Sequence, residues 1–382
     1  MHYRYDDNGN LIETTDAKGQ ITRTTYDAAN RQQTEVWSQP DGSFRTVFTW
    51  HYDADLAPNH PTAQNTLGQA TYIEDTEGAT YFSYDARGNL VGHIRSFANE
   101  GLNFVTLRQY DAQERLTKLT YPDGFVVTYR YNEQGLLKGI PNFVNSIDYA
   151  ATDQRLQIAY PNGVTTDYRY DIRQRLEQLS TTAGQRVLQS LFYDFDAASN
   201  ITSIIDSRSD RTTANDQTQS FQYDALYRLT QSTGTYGHID HAYNAIGNMI
   251  RQSSTTTDER LNLGDMRYGE NGAGPHALTG TATQTFAYDA NGNRLGKKDA
   301  AYTWNPRDWL ISVDESEIRS TYQYDATGQR LRQTVRQGTT VTETLYADQV
   351  TEVRGDKLIR YVFDDQKRIV QMTVPFDAGK LL

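Results

Sequence analysis

Residues 286–295, Phe286-Ala287-Tyr288-Asp289-Ala290-Asn291-Gly292-Asn293-Arg294-Leu295, spell the phrase whose reading decides the fold. An aromatic, a spacer and a tyrosine place two rings on one face of an extended chain, because strand side chains alternate with period two. Asp289 then opens a four-residue turn that Gly292 closes. Aspartate first and glycine fourth are type I turn preferences, with the glycine in the left-handed region. The aspartate side chain also accepts a hydrogen bond from the backbone two residues on. Arg294 and Leu295 lead out on the returning strand, so the phrase predicts a β-hairpin.

The phrase recurs through nearly the whole chain. Clear copies start at Tyr5-Asp6, Tyr84-Asp85, Tyr110-Asp111, Tyr170-Asp171, Tyr223-Asp224, Tyr288-Asp289 and Tyr324-Asp325. Weaker ones start at Tyr26-Asp27, Tyr131-Asn132, Phe195-Asp196, Tyr243-Asn244, Trp304-Asn305 and Phe363-Asp364. Tyr5 to Tyr26 and Tyr110 to Tyr131 are 21 residues apart; Tyr223 to Tyr243 and Trp304 to Tyr324 are 20. A period of about 20 residues is the signature of a repeat architecture, in which each unit contacts its neighbours. The turn glycines Gly9, Gly88, Gly247, Gly292 and Gly328 are expected at positive φ. Asn30, Glu114, Gln174, Ser199 and Tyr227 stand where glycine is wanted. A left-handed conformation costs about 1–2 kcal/mol at a non-glycine residue, so those turns are expected to be of another type.

Composition narrows the function classes. With 37% hydrophobic residues but 27 tyrosines, and a mean hydropathy of −0.73, a thin, tyrosine-laddered sheet is favoured over a thick globular core. Tyrosine packs its ring while its hydroxyl reaches water or backbone. The net charge of −11 and the lack of a basic, aromatic-interleaved patch argue against nucleic-acid binding. The absence of cysteine rules out disulfides and thiolate sites. No apolar run approaches the ~20 residues of a membrane span, and because Met1-His2-Tyr3-Arg4-Tyr5 already reads as strand, no signal peptide is expected in these residues.

The chain reads as one array over 1–382, with no separate effector domain and with irregular loops near 53–69, 203–219 and 253–280. Within it Tyr121-Pro122-Asp123-Gly124 is echoed by Tyr160-Pro161-Asn162-Gly163, 39 residues later. Phe82/Tyr84, Phe221/Tyr223, Phe286/Tyr288 and Tyr322/Tyr324 are expected as strand pairs, each on one sheet face. The fold class is all-β: tandem antiparallel hairpins forming a long curved strip.

The Tyr-Asp-x-x-Gly-Arg/Asn-Leu phrase resembles the YD (Rhs) repeat of bacterial Rhs toxins, of the B and C components of Tc toxins, and of teneurins. Gly274-Pro275-His276-Ala277-Leu278-Thr279, the 286–294 phrase, Tyr302-Thr303-Trp304 and Leu310 are similar to the late shell of bacterial members. The resemblance implies a strip that spirals into a hollow shell, holding an effector polypeptide in toxin members. Those members cleave the effector free at Asp-Pro-containing motifs. None of the nine prolines here follows an aspartate, so that self-cleavage is not carried over. The implied partners are a flanking shell or core region, or a partner shell protein, capping open strand edges, and an encapsulated effector. The implied location is a secreted or cell-surface bacterial assembly.

A few clusters suggest other chemistry. His238, Asp240 and His241 are the densest metal-type cluster, but on a strand His241 opposes the other two, a poor three-ligand set. Asp6-Asp7, Asp364-Asp365 and Glu315/Glu317 resemble acid–base pairs, yet the first two pairs sit inside the turn phrase and the third near a turn. Tyr3-Arg4-Tyr5, Tyr129-Arg130-Tyr131 and Tyr168-Arg169-Tyr170 are either a glycan-binding surface or a cross-strand ladder. The expected function is a non-catalytic encapsulating shell segment with no catalytic, cofactor-binding or metal site. The alternatives are an extracellular carbohydrate-binding module and a polysaccharide-degrading enzyme working on the inner sheet face.

Overall fold

The computed structural model describes residues 1–53, 64–256, 258, 260–364 and 367–382. The described residues form 35 strands and two 3₁₀ turns. Strands join in sequence order into antiparallel sheets of 11, 2, 11, 2 and 9 strands. The three large sheets run from His2 to Thr128, from Ser146 to Asp265 and from Gly296 to Pro375. Each is an open meander of hairpins, as the repeat predicts.

The repeat turn is a three-residue loop. The Asp6 N–H donates to Asn10 O at 3.0 Å and the Gly9 N–H to Asp6 O at 3.1 Å, a type I turn followed by a left-handed residue. The register then slips by one residue: Tyr5 pairs with Leu11 while Arg4 pairs with Glu13. The same slip follows Tyr26, Tyr84, Tyr110, Tyr170, Tyr223 and Tyr324. A bulge of this kind raises local strand twist, so the phrase writes curvature into these hairpins.

The chain divides into two compact units, one of 1–128 with 288–382 and one of 129–287. In the first, side chains of the opening and closing sheets bury one another. Phe97 and Phe104 meet Leu331, Leu345, Val353 and Leu358, and Phe48 packs with Trp37, Trp50 and Trp309. The second unit keeps a thinner core, with Ile140, Val144, Ile147, Ile158, Leu191 and Ile239 buried.

Several expectations need correction. Asn30, Glu114, Gln174, Ser199 and Tyr227 keep the left-handed turn, with φ of 60°, 62°, 62°, 74° and 61°. The reason lies in the aspartate and the residue after the turn. Asp171 accepts from the Arg173 and Arg175 N–H groups at 2.8 and 3.0 Å and from Arg175 Nε at 2.7 Å. Charge-assisted bonds of that kind offset the strain. Phe286 lies outside any strand and Tyr288 makes only an isolated bridge to Arg294. The loop near 203–219 starts later, since Ile201–Asp206 is a strand. The 253–280 stretch contains Gly264–Asp265, Arg267–Tyr268 and Leu278–Gly280. Of the loop near 53–69, residues 54–63 lie outside the described residues, as does Asp365.

Candidate functional site

The repeat residues form a coupled lattice. In several of the turns one aspartate oxygen accepts two backbone N–H groups and the other takes the side chain four residues on. Asp6, Asp85 and Asp196 use asparagine there; Asp27, Asp111, Asp171 and Asp224 use arginine. These bonds hold the Asp6, Asp85, Asp111 and Asp224 carboxyls below the ordinary value, the side-chain bond contributing most. Asp289 and Asp325 accept turn N–H groups in the same way. Gly9, Gly88, Gly247, Gly292 and Gly328 have φ between 85° and 91°.

Seven repeat tyrosines then reach back. The Tyr26 hydroxyl donates to Leu11 O at 3.0 Å, and Leu11 is the residue that pairs with Tyr5. Tyr110 does the same to Leu90, Tyr243 to Leu229 and Tyr324 to Leu310. Tyr84, Tyr170 and Tyr223 donate to Ala70, Arg155 and Ile201. Burial raises the pKa of Tyr84, Tyr110 and Tyr324. These tyrosines therefore act as structural ties. Tyr3 and Tyr5, on the edge strand, are more than half exposed.

Long-range ion pairs tie the first unit together. Arg307 meets Glu35, 272 residues away, through Nε at 2.8 Å and through Nη2. Arg332 binds Glu77, Glu100 and Glu343 at 2.7, 2.6 and 3.1 Å. Tyr121 donates to Tyr361 O at 2.7 Å, and Asn291 bonds to Asp16 at 2.7 Å. No local motif marks these partners, and sequence reasoning missed them.

Of the residues weighed for other chemistry, His238 contacts Asp240 at 3.1 Å and Thr233 at 2.9 Å. Burial lowers the His241 pKa. Among the described residues no group of three or more His, Asp or Glu is placed to hold a metal ion. Glu315 pairs with Lys297 at 3.1 Å. Asp6 is absorbed by its own turn. A cavity of about 710 Å³ lies in the first unit, lined in part by His93, Arg95, Arg108, Arg330, Asp348 and Arg368. Burial pushes the His93 imidazole below its ordinary pKa.

The family follows from comparison. The Teneurin YD-shell model matches residues 125–376. The chain belongs to the YD-shell family. The RHS Repeat model also matches residues 5–43. Solved structures of similar fold include TcdB2-TccC3, with a TM-score of 0.78 and 20% identity over 98% of this chain and 21% of that one. TcdB2-TccC3-Cdc42 gives 0.80 and 20% over 94% and 21%. The Tc holotoxin pore of Photorhabdus luminescens gives 0.77 and 20% over 98% and 20%. At that identity the likeness establishes the fold. Among curated proteins, the tRNA3(Ser)-specific nuclease WapA of Bacillus spizizenii is 28% identical over 41% of this chain. The tRNA nuclease WapA of Bacillus subtilis is 30% identical over 29%. The chain spans about 6% and 4% of those proteins. No helix among the described residues is long and apolar enough to cross a membrane.

Proposed function

We propose that this YD-shell chain is a non-catalytic wall segment of a secreted bacterial toxin complex, which encloses and protects an effector polypeptide. The observation that carries the reading is the match of 94–98% of the chain to the TcdB2-TccC3 shell structures. The residues give it a physical basis. Turn aspartates and repeat tyrosines are consumed by scaffolding bonds, which suits a wall better than a reaction centre. The end strand His2–Tyr5 is exposed along its whole length, and an open strand edge is a template for a further strand. A flanking shell region or a partner shell protein is the natural cap. The nuclease activity in the names of the WapA relatives belongs to proteins many times longer, and nothing in the repeat lattice calls for it.

A disordered polypeptide joined to Leu382 tests enclosure. Protease should digest the joined polypeptide more slowly than the same polypeptide free in solution. Equal digestion rates would overturn the enclosing role.

A further inference from the structure

The cavity in the first unit pairs its acids and leaves its arginines over. Asp75 takes Arg95 at 2.5 and 2.9 Å. Asp348 accepts from Thr106 at 2.7 Å and from the Val350 N–H at 2.9 Å. Glu352 accepts from Tyr361 at 2.9 Å and from Arg354 at 2.5 Å. Asp325 is spent on its own turn. All four lining carboxylates thus have partners inside the fold.

Three of the four lining arginines have no carboxylate within hydrogen-bond distance among the described residues. The contact from Arg108 to Asp348 is 3.9 Å, beyond hydrogen-bond reach, and its Nη1 is buried without a partner. Arg330 lies over the Tyr322 and Tyr346 rings at 4.4 and 5.8 Å and is hydrogen-bonded to the Tyr346 and Tyr324 hydroxyls. Arg368 lies over Tyr361 at 3.5 Å and Phe363 at 5.8 Å. Among the described residues neither forms an ion pair with a carboxylate. A guanidinium supported on an aromatic ring still has edge N–H groups to offer a planar anion, because it carries five donors. His93 Nδ1 is likewise buried and unbonded. Ile73, Phe82, Leu90 and Leu331 add apolar wall to the same space.

We propose that this cavity binds an organic carboxylate with an apolar body, the carboxylate held by Arg108 together with the ring-supported Arg330 and Arg368. The volume suits a small organic molecule or one or two side chains of a peptide. Four lining carboxylates and the net charge of −11 disfavour a dianion such as phosphate, and a planar fork matches a carboxylate edge on. This inference stands apart from the enclosing role: a wall with or without an effector would carry the site.

Calorimetric titration of the full chain tests it with four probes: 3-phenylpropionate, 3-phenylpropionamide, acetyl-Phe-Glu-amide and inorganic phosphate. Saturable binding of a carboxylate probe is expected, with no binding of the neutral amide and weaker binding of phosphate. Tighter binding of the peptide than of phenylpropionate assigns the site to a polypeptide source, and the reverse to a free acid; both outcomes support the carboxylate class. Arg108→Gln and Arg368→Gln, each checked for an unchanged melting temperature, should weaken binding at least about tenfold, or about 1.4 kcal/mol. The exposed Arg336→Gln should leave it unchanged. If Arg108→Gln fails to fold, Arg368→Gln carries the test alone. Silence from both carboxylates, equal affinity in the cavity variants, or phosphate binding more tightly than either carboxylate would overturn the proposal.

Discussion

The Tyr324 hydroxyl donates to the carbonyl oxygen of Leu310 at 2.6 Å, and Leu310 is the residue that pairs with Trp304, the aromatic of the preceding repeat. The tie spans a repeat boundary, so the bond fixes one hairpin relative to the last. Tyr324→Phe removes only that hydroxyl. It should lower stability by about 0.5–1.5 kcal/mol, the net contribution of one hydrogen bond. Tyr5→Phe, on the exposed edge strand, should stay within experimental error. Urea denaturation of both variants checks the contrast, and equal losses would contradict it.

Gly292 has φ of 91°, and open space surrounds the position a Cβ would take. The cost of Gly292→Ala is therefore backbone strain alone, about 1–2 kcal/mol. A melting temperature equal to the parent's would show that this turn tolerates a side chain as Gln174 and Tyr227 do.

The tolerance at those positions explains part of what the sequence left illegible. Asp-x-x-Gly is a local preference, so the turns could be read from four residues at a time. Whether Gln174 stays left-handed depends on Arg175, whose Nη1 also reaches Asp196 O at 3.3 Å in the next turn. Phe286 and Tyr288 carry the cleanest phrase, yet their pairing stops at single contacts, Phe286 N–H to Thr279 O and a bridge from Tyr288 to Arg294; this stretch falls where one unit ends and the other resumes. Likewise, nothing near Glu35 announces Arg307, and nothing near Arg108 announces a cavity. Repeat and turn chemistry are written locally, whereas the ties between distant sheets are not.

Arg332 is almost fully buried and serves three glutamates. Arg332→Met leaves Glu77 buried and unpaired, which should cost about 3–5 kcal/mol. Adding Glu77→Gln removes the stranded charge and should recover part of the loss. Full additivity in the double-mutant cycle would contradict the network.

Acid should weaken the fold in a defined window. Arg208, through its side-chain bonds, holds Asp206 at about 2, against an ordinary 3.8. The turn carboxyls Asp6, Asp85, Asp111 and Asp224 are also lowered. Groups depressed on folding contribute stability above the unfolded value and lose it as pH falls through the folded value. The urea midpoint should hold from neutral pH down to about 5 and then drop below about 4, where the unfolded chain takes up more protons. A midpoint that rises on acidification would contradict this reading.

The central claim, a wall without chemistry of its own, is tested most directly by incubating the purified chain with uronic-acid polysaccharides, neutral polysaccharides and tRNA. Product release and ligand retention are measured beside the native mass. The account predicts no turnover of any substrate, with strand edges satisfied by self-association or by an added shell partner. Turnover that disappears on replacing a single carboxylate or tyrosine would contradict it.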